Sequence, residues 1–419
     1  MSRVASIALA CTVSLAASAA AQTRPVVTTR LTDRLYLLSI DESNYSTNTL
    51  AFVGPDGVLL VDTQKREDGP ALRAAVAALG GPVRYIVNTH RHIEHVGGNE
   101  AFGAEPVVIA HALVPAKLRS RAFLFDEFPP ATFPDITVAD SLTLYFNGER
   151  IRIVAVPGSH DDNELRVHFT DAKVVHLSSL ANGFNFPSVD DDGDALRFPE
   201  LAERAMALLP HDVAIVSGHN PRGEHRAGRW SDLQPYHDAI ARSIEIVRAG
   251  LAQGRDVAAL QRDSVLRPFA AYARNYVSED DWIAEVAERL RRPPGPRPPL
   301  VFADLYATWR AQGAEAAVAR YAALRREYPH EYRFDENDLL VVGMKLLPND
   351  HAQDAAVFLQ GSLREYPTAS LGYMTHTFLA LAHRRLGDIA AAREDCRRAL
   401  ALNPRYTRAA QLLVELEGR

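Results

Sequence analysis

The feature that most constrains this chain is a group of metal-binding side chains at the end of a predicted strand. The apolar run Val83–Val87 is typical of a strand, and His90, His92, Glu94 and His95 follow it closely. Two histidines two residues apart on extended chain project to the same side and can bind one ion, whereas Glu94 and His95 fall at a turn and can face a second. Imidazoles and a carboxylate suit zinc. The pattern predicts a metal site, and a chance histidine-rich loop is the alternative.

This group, followed by Gly97-Gly98, resembles the metallo-β-lactamase superfamily, whose motif is His-x-His-x-Asp-His and then Gly-Gly. Glu94 stands where the family has aspartate. The resemblance implies an α/β fold, the four-layer αββα sandwich of two packed sheets with helices outside. The order of strands and helices over the first 290 residues favours the same architecture.

Two later histidines complete the metal centre that the resemblance implies. His160 lies in a strand-Pro-Gly-x-His element, the family's source of a third histidine for the first zinc. His219 follows the apolar run 213–216, which predicts a single buried strand ending in Gly-His. The implied ligands are His90, His92 and His160 for the first zinc, and Glu94, His95 and His219 for the second.

Three side chains near these ligands carry further expectations. Asp62 ends a predicted strand, and the resemblance implies that it supports the metal loop from behind, with a turn role as the alternative. Ser179 stands where many members have an aspartate that bridges two metals, although some dizinc β-lactamases also have serine there. Glu94 is the candidate catalytic residue as well as a ligand. Its extra methylene, without a bridging aspartate, predicts one tight zinc and a weaker second one.

Other features of this part of the chain have less specific interpretations. The phenylalanine- and proline-rich stretch 123–134 predicts a stiff apolar loop that either covers the site or packs over the sheet. His111, His168 and His176 match no ligand position of the family and are interpreted as structural. Helices are expected to open at Asn99 and to occupy much of 257–276.

The N-terminus has the pattern of a signal peptide over residues 1–21. Arg3 precedes an apolar run too short to span a membrane, and Ala19-x-Ala21 fits a signal-peptidase site before Gln22. We therefore expect export, to the periplasm or outside the cell, with no membrane span; a lipoprotein cysteine at Cys11 fits less well. Removal of Cys11 leaves Cys396 alone, so no internal disulfide is expected.

The rest of the chain divides at a run of prolines. We predict a catalytic domain over 22–290, a proline-rich linker over 291–299 and helical repeats over 300–419. Arg-Glu-Tyr-Pro ending at Pro329 recurs at Pro367, and the unit ending at Pro404 resembles a tetratricopeptide repeat. Such repeats would hold a protein partner or mediate self-association.

Composition and motifs together favour an enzyme. The 419 residues, 47% hydrophobic and 23% charged, are enough for two or three domains, and the net charge of −6 argues against a nucleic-acid partner. The expected activity is that of a zinc hydrolase in which a metal-bound hydroxide attacks an ester, lactone, thioester or amide, possibly a β-lactam. The alternative is a metal-poor, catalytically weak binding protein whose repeats hold a protein partner.

Overall fold

The computed structural model describes residues 24–120, 129–156, 158–190, 192–291, 298–347, 350–404 and 406–418. The expected signal peptide, residues 121–128 of the phenylalanine-rich stretch and residues 292–297 of the expected linker lie outside these ranges. None of the helices within them has the length and apolar character needed to cross a membrane.

The first two-thirds of the chain contains two sheets. The eight-stranded first sheet runs in the order β1 to β7, with β13 beside β3, and the six-stranded second sheet runs β14-β12-β11-β10-β9-β8. The first sheet consists of β1 (Val26–Arg30), β2 (Leu35–Asp41), β3 (Tyr45–Gly54), β4 (Gly57–Val61), β5 (Val83–Val87), β6 (Val107–His111), β7 (Ile136–Val138) and β13 (His219–Pro221). The second consists of β8 (Ser141–Phe146), β9 (Glu149–Ala155), β10 (Leu165–Phe169), β11 (Val174–His176), β12 (Ala214–Val216) and β14 (Gly228–Arg229).

Helices cover the outer faces of both sheets. They are α1 (Gly69–Leu79), α2 (Ile93–Val96), α3 (Val114–Ser120), α4 (Phe198–Leu208), α5 (Leu233–Ala252), α6 (Val257–Arg262) and α7 (Glu279–Arg291). Short 3₁₀ helices occupy Arg66–Asp68, Gly97–Phe102, Pro130–Thr132, Ala195–Arg197, Trp230–Asp232 and Arg267–Tyr272.

Three apolar cores separate four layers. Alternate strand residues such as Phe52 and Val167 fill the space between the sheets. Val76 of α1 packs on the outer face of the first sheet, and Leu201 of α4 and Trp282 of α7 pack on the outer face of the second. Central strands such as β3 and β4 bury residues on both faces, so these strands need the helices as well as the opposite sheet to cover them. The predicted αββα sandwich is confirmed.

The segment 213–220 differs from the single strand that the sequence predicts. Val216 ends β12 in the second sheet, whereas His219 begins β13 in the first sheet, opposite Thr47. Gly218 lies at the crossing, where its N–H donates to the carbonyl of Ser178 and its carbonyl accepts from the N–H of Asn48. The crossing carries His219 from one sheet to the other.

Two expected helices are also shorter than predicted. The stretch 257–276 forms only α6 and the 3₁₀ helix Arg267–Tyr272, because Ser264 has a left-handed φ of 47° and Pro268 lacks an N–H. The helix expected to open at Asn99 is part of the 3₁₀ helix Gly97–Phe102.

The C-terminal region is entirely helical over its described elements. Its helices are α8 (Phe302–Gln312), α9 (Ala314–Glu327), α10 (Asp338–Leu346), α11 (Ala352–Glu365), α12 (Gly372–Arg385), α13 (Ile389–Leu402) and α14 (Thr407–Glu417). Side chains such as Leu305, Tyr321, Leu339 and Phe358 share one core, so successive helices are stabilised by their neighbours. Their assignment to tetratricopeptide repeats stays a prediction, as do the domain boundaries.

The helical region contains a buried carboxyl group whose ionisation should affect stability. Burial raises the pKa of Asp338 from 3.8 to about 7, although Asp338 accepts hydrogen bonds from the N–H of Asp335 and the hydroxyl of Tyr321. The unfolded chain loses this proton near pH 4, so the folded state binds more protons between about pH 4 and 7, and stability falls as pH rises through that window.

Between about pH 4.5 and 7.5, we therefore expect the unfolding free energy of the natural protein to fall more than that of Asp338→Asn. The difference between the two decreases should be on the order of 2–4 kcal/mol. Urea titrations followed by circular dichroism measure this difference. Substitution of the exposed Glu331 by glutamine is the matched control and should keep the natural slope. Equal slopes for Asp338→Asn and the natural protein would show that Asp338 is ionised in the folded state.

Candidate metal centre

The predicted metal loop follows β5 and has the expected two-part geometry. His92 is the extended residue before α2, with φ −64° and ψ 147°, and Glu94 and His95 lie in the helix, whereas His90 lies in a bend rather than on extended chain. Gly98 allows the loop to approach the segment after β4, because a Cβ there would overlap the carbonyl oxygen of Thr63.

Three histidine rings converge in a first cluster. His90 Nε2 and His160 Nε2 lie 3.1 and 3.2 Å from His92 Nδ1. Nitrogen ligands about 2.05 Å from a tetrahedral zinc are roughly 3.3 Å apart, so these separations fit one ion. The structure thus brings together the three residues predicted for the first zinc.

The opposite nitrogen of each ring has a protein partner, and these partners fix the tautomers. The partners are Thr89 Oγ1 at 3.1 Å from His90 Nδ1, Asp190 Oδ2 at 2.9 Å from His92 Nε2, and the carbonyl of Ser188 at 2.9 Å from His160 Nδ1. Each ring therefore directs its remaining nitrogen into the cluster.

A second cluster adjoins the first. His95 Nε2 lies 3.2 Å from His219 Nε2, and Glu94 Oε1 lies 3.9 Å from His219 Nε2 and 3.8 Å from His92 Nδ1. Both histidines are buried, whereas 21% of the Glu94 side chain is exposed. Glu94 therefore stands between the two clusters and faces solvent.

Asp62 orients the second cluster from behind. It has a left-handed φ of 65°, and its Oδ2 lies 2.7 Å from His95 Nδ1. It also accepts hydrogen bonds from the N–H and hydroxyl of Thr89, at 2.7 and 2.8 Å. Strained backbone at a fully buried carboxylate is typical of a functional site.

Burial and neighbouring charge set the protonation of the rings. Burial, together with the nearby histidines, holds the pKa of His90 and of His219 well below the usual value. Burial also acts to lower the pKa of His95, but the Asp62 carboxylate outweighs it and leaves that pKa raised. His90 and His219 are therefore neutral, the form in which imidazole binds metal.

Ser179 lies buried next to a carboxylate that sequence reasoning missed. The Ser179 N–H donates to Glu164 Oε1 at 3.3 Å, and Glu164 Oε2 accepts from the Ser159 hydroxyl at 2.7 Å and from the His160 N–H at 3.3 Å. Glu164 thereby joins the loop of His160 to the turn of Ser179. The available signal was an acidic residue at the start of a buried strand.

Two tyrosines, also missed, form an aromatic wall beside His219. Tyr45 and Tyr276 lie 5.2 and 5.5 Å from the His219 ring and 4.9 Å from each other, all edge to face. Burial, and the nearby Glu94 carboxylate, raise the pKa of the Tyr276 phenol. No spacing in the sequence links these residues to the histidine loop.

Arg91 forms ion pairs with the acidic side chains near His92. Its guanidinium lies 2.9 Å from Asp161 and also contacts Asp190, and Arg91 and Asp161 are both buried. Although His92, Asp161 and Asp190 lie close enough to bind a cation, the guanidinium already neutralises these carboxylates.

The remaining histidines of interest lie outside both clusters. His111 Nδ1 accepts the N–H of Leu113, and His176 Nδ1 accepts the N–H of Ser178. His168 lies on the outer side of β10.

In the described part of the phenylalanine-rich stretch, Phe133 packs against the core formed by Val96, Ala110, Val114 and Leu118.

Comparison with known proteins agrees with this geometry. Residues 44–219 match the family model described as the metallo-beta-lactamase superfamily. A hydroxyacylglutathione hydrolase of Brucella anthropi is 29% identical over 200 residues, which cover 46% of this chain and 71% of that protein. A hydroxyacylglutathione hydrolase of Brucella ovis is 25% identical over 162 residues, 38% of this chain and 57% of that one.

Two solved structures are also similar. A sec-alkylsulfatase, Pisa1 from Pseudomonas sp., is 14% identical, with 93% of this chain and 66% of that one covered and a TM-score of 0.49. A metallo-beta-lactamase from Pontibacter korlensis is 19% identical, with 51% and 98% covered and a TM-score of 0.44.

The matched segment, with its histidine motif between two packed sheets, is a metallo-β-lactamase superfamily domain. Members of this superfamily bind metal, usually zinc, and the two clusters are this chain's candidate metal sites.

The first cluster should lose its metal when one ring is removed. We expect His160→Ala to reduce the tightly bound zinc to well below one ion per chain, because a three-ligand site cannot lose a ligand without a large loss of affinity. Elemental analysis after dialysis measures the zinc. His237→Ala, on α5 and outside both clusters, should retain the natural content. Unchanged zinc in folded His160→Ala would contradict the assignment.

Proposed function

We propose that the chain is an exported, zinc-dependent hydrolase of a carbonyl compound, with a thioester as the first candidate substrate. The observation that supports this most strongly is the convergence of five histidine nitrogens and one carboxylate in two adjoining clusters. Such an arrangement suits a dinuclear centre better than a structural one, because Glu94 leaves it open to solvent.

The donor set fits zinc. Neutral imidazoles and a carboxylate are preferred zinc ligands, and the nitrogen separations of 3.1 and 3.2 Å are close to those in a tetrahedral site. Zinc held there supplies Lewis-acid chemistry: it lowers the pKa of water and polarises a carbonyl.

The chain's own groups position the reaction. Asp62 and Asp190 hold His95 and His92 in the orientation needed for binding. Glu94, partly exposed between the clusters, is positioned to accept a proton from the attacking water. Tyr45 and Tyr276 exclude water beside His219 and offer an apolar surface to the acyl part of the substrate.

The substrate class rests on the relatives. The two Brucella proteins are named for the hydrolysis of hydroxyacylglutathione, which is a thioester, and the family match over residues 44–219 contains the whole predicted ligand set. Esters, lactones and amides, including β-lactams, react by the same carbonyl chemistry and stay as alternatives. The helical region would hold a protein partner or a second copy of the chain.

A binding protein with little metal is the second candidate. Glu94 and Ser179 both depart from the family motif: Glu94 carries its carboxylate one methylene further from the backbone, and Ser179 replaces a carboxylate that a dinuclear site commonly uses. The two candidates differ in a simple measurement, because only the enzyme turns over substrate in a zinc-dependent manner.

Turnover should be observed with the zinc-loaded chain against a panel of one S-acylglutathione, one lactone, one aryl ester and one β-lactam. We expect the thioester to be hydrolysed fastest, and Asp62→Asn to lower kcat/KM by about 10- to 100-fold because His95 loses its orienting carboxylate. Asp33→Asn, a change at an exposed carboxylate, is the control and should have natural activity. No turnover of any member at full zinc occupancy would favour the binding protein.

Glu94 should make the second zinc weaker than the first. Its carboxylate oxygen lies 3.9 Å from His219 Nε2, a longer separation than the 3.2 Å between the two histidines. Activity of the natural protein should therefore rise with added zinc, and Glu94→Asp should bind the second zinc roughly tenfold more tightly and hydrolyse faster. Zinc titration by calorimetry measures both affinities. Two equally tight natural sites, with reduced activity in Glu94→Asp, would mean that the loop is adapted to glutamate.

A further inference from the structure

A cavity of about 300 Å³ lies on the outer side of the second sheet, beneath α4. Its floor is apolar and includes Val154 of β9, Val175 of β11 and Leu201 of α4. Volumes of roughly 300–1,000 Å³ are usual for small-molecule sites, so this cavity suits a small ligand.

Basic side chains surround this apolar floor. They are Arg152 on β9, Arg166 and His168 on β10, Arg197 just before α4, and Arg204 on α4. No aspartate or glutamate among the described residues lines the cavity. The charged side chains that line the cavity are therefore all basic.

The position of Arg166 and His168 in the fold is unusual. On β10, Leu165, Val167 and Phe169 face the core between the sheets, so the alternate residues Arg166 and His168 face the helix-covered side. Helix-covered sheet faces normally carry apolar residues, because an unpaired buried charge is costly. Burial lowers the pKa of Arg166 to about 10, which reflects this cost.

The arginines of the cavity have few carboxylate partners. Among the described residues, Arg152, Arg166 and Arg204 make no hydrogen bond or ion pair with a carboxylate. Glu164 acts on Arg166 only through its charge, and its oxygens already accept hydrogen bonds from Ser159, His160 and Ser179. Arg197 is different, since it lies 3.5 Å from Glu200.

We propose that this cavity is a second binding site, distinct from the metal centre, for an anionic amphiphile: an oxyanion on a short alkyl or aryl tail. The oxyanion would accept hydrogen bonds from Arg166 and Arg204, since guanidinium groups bind carboxylate and phosphate in a bidentate manner. The tail would contact the apolar floor, and Leu208, 76% exposed, would extend this surface at the mouth. The two halves of the cavity thus match the two halves of such a ligand.

Calorimetric titration of the full chain at fixed zinc content tests this proposal with octanoate as the probe. We expect saturable binding of octanoate, and at least tenfold weaker binding of octanol and of acetate, because each lacks one of the two halves. Octyl phosphate is included to distinguish headgroups: tighter binding than octanoate assigns a phosphate, and weaker binding assigns a carboxylate. Binding of octanol as tight as that of octanoate would overturn the role of the arginines.

Variants locate the site. Arg166→Met keeps the side-chain length without the charge and should weaken octanoate binding at least tenfold. Arg150→Met is the matched control, because Arg150 lies two residues from Arg152 on the same face of β9 but outside the cavity. It should bind octanoate as the natural protein does.

Two surface changes keep the test decisive if Arg166→Met fails to fold. Arg204→Met removes an exposed charge of the cavity, and Leu208→Glu places a negative charge at its mouth. Both should weaken octanoate binding several-fold. The proposal would be overturned if the natural protein did not bind octanoate. It would also be overturned if Arg204→Met and Leu208→Glu bound octanoate as tightly as Arg150→Met and the natural protein do. Neither result depends on hydrolysis, so failure here and failure of the proposed activity are distinguishable.

Discussion

The buried Asp62 carboxylate is the interaction on which the candidate metal centre depends. Because β4 and β5 are parallel neighbours, Asp62 at the end of β4 lies beside the loop that leaves β5. It binds both the backbone and the hydroxyl of Thr89 and orients the ring of His95. One carboxylate in a left-handed conformation thus fixes the start of the histidine loop and the second cluster together. Without it, the buried His95 ring would lose the strongest of the negative charges that act on it.

The second cluster also requires both sheets. His95 belongs to the loop after β5 in the first sheet, and His219 reaches the same point only because the chain leaves β12 and joins β3. Gly218 permits this crossing, since a Cβ there would lie 3.0 Å from the His95 ring. The sandwich is therefore more than a support, because the crossing from its second sheet to its first brings His219 onto the sheet that also carries the loop of His95.

The sequence predicted those parts of the site that local spacing encodes. His90, His92, Glu94 and His95 lie in one loop, and their geometry follows from a strand end and a helix start. It could not predict Asp190, which is 98 residues from its partner His92, because no local pattern marks such a contact. The sheet crossing before His219 was missed for a similar reason: residues 213–220 have the apolar pattern of one strand, and only tertiary packing divides them between two sheets.

The distribution of negative charge gives a physical reason why serine can replace aspartate at 179. The two clusters contain one carboxylate, Glu94, and five histidines. Two further buried carboxylates lie just outside the clusters: Asp62 is 2.7 Å from His95 Nδ1, and Glu164 is 3.3 Å from the Ser179 N–H. In a low-dielectric interior such groups act on a cation without touching it. The charge that a bridging aspartate would supply by direct contact is therefore replaced here only by carboxylates one residue further away, in agreement with the weaker second site that we propose.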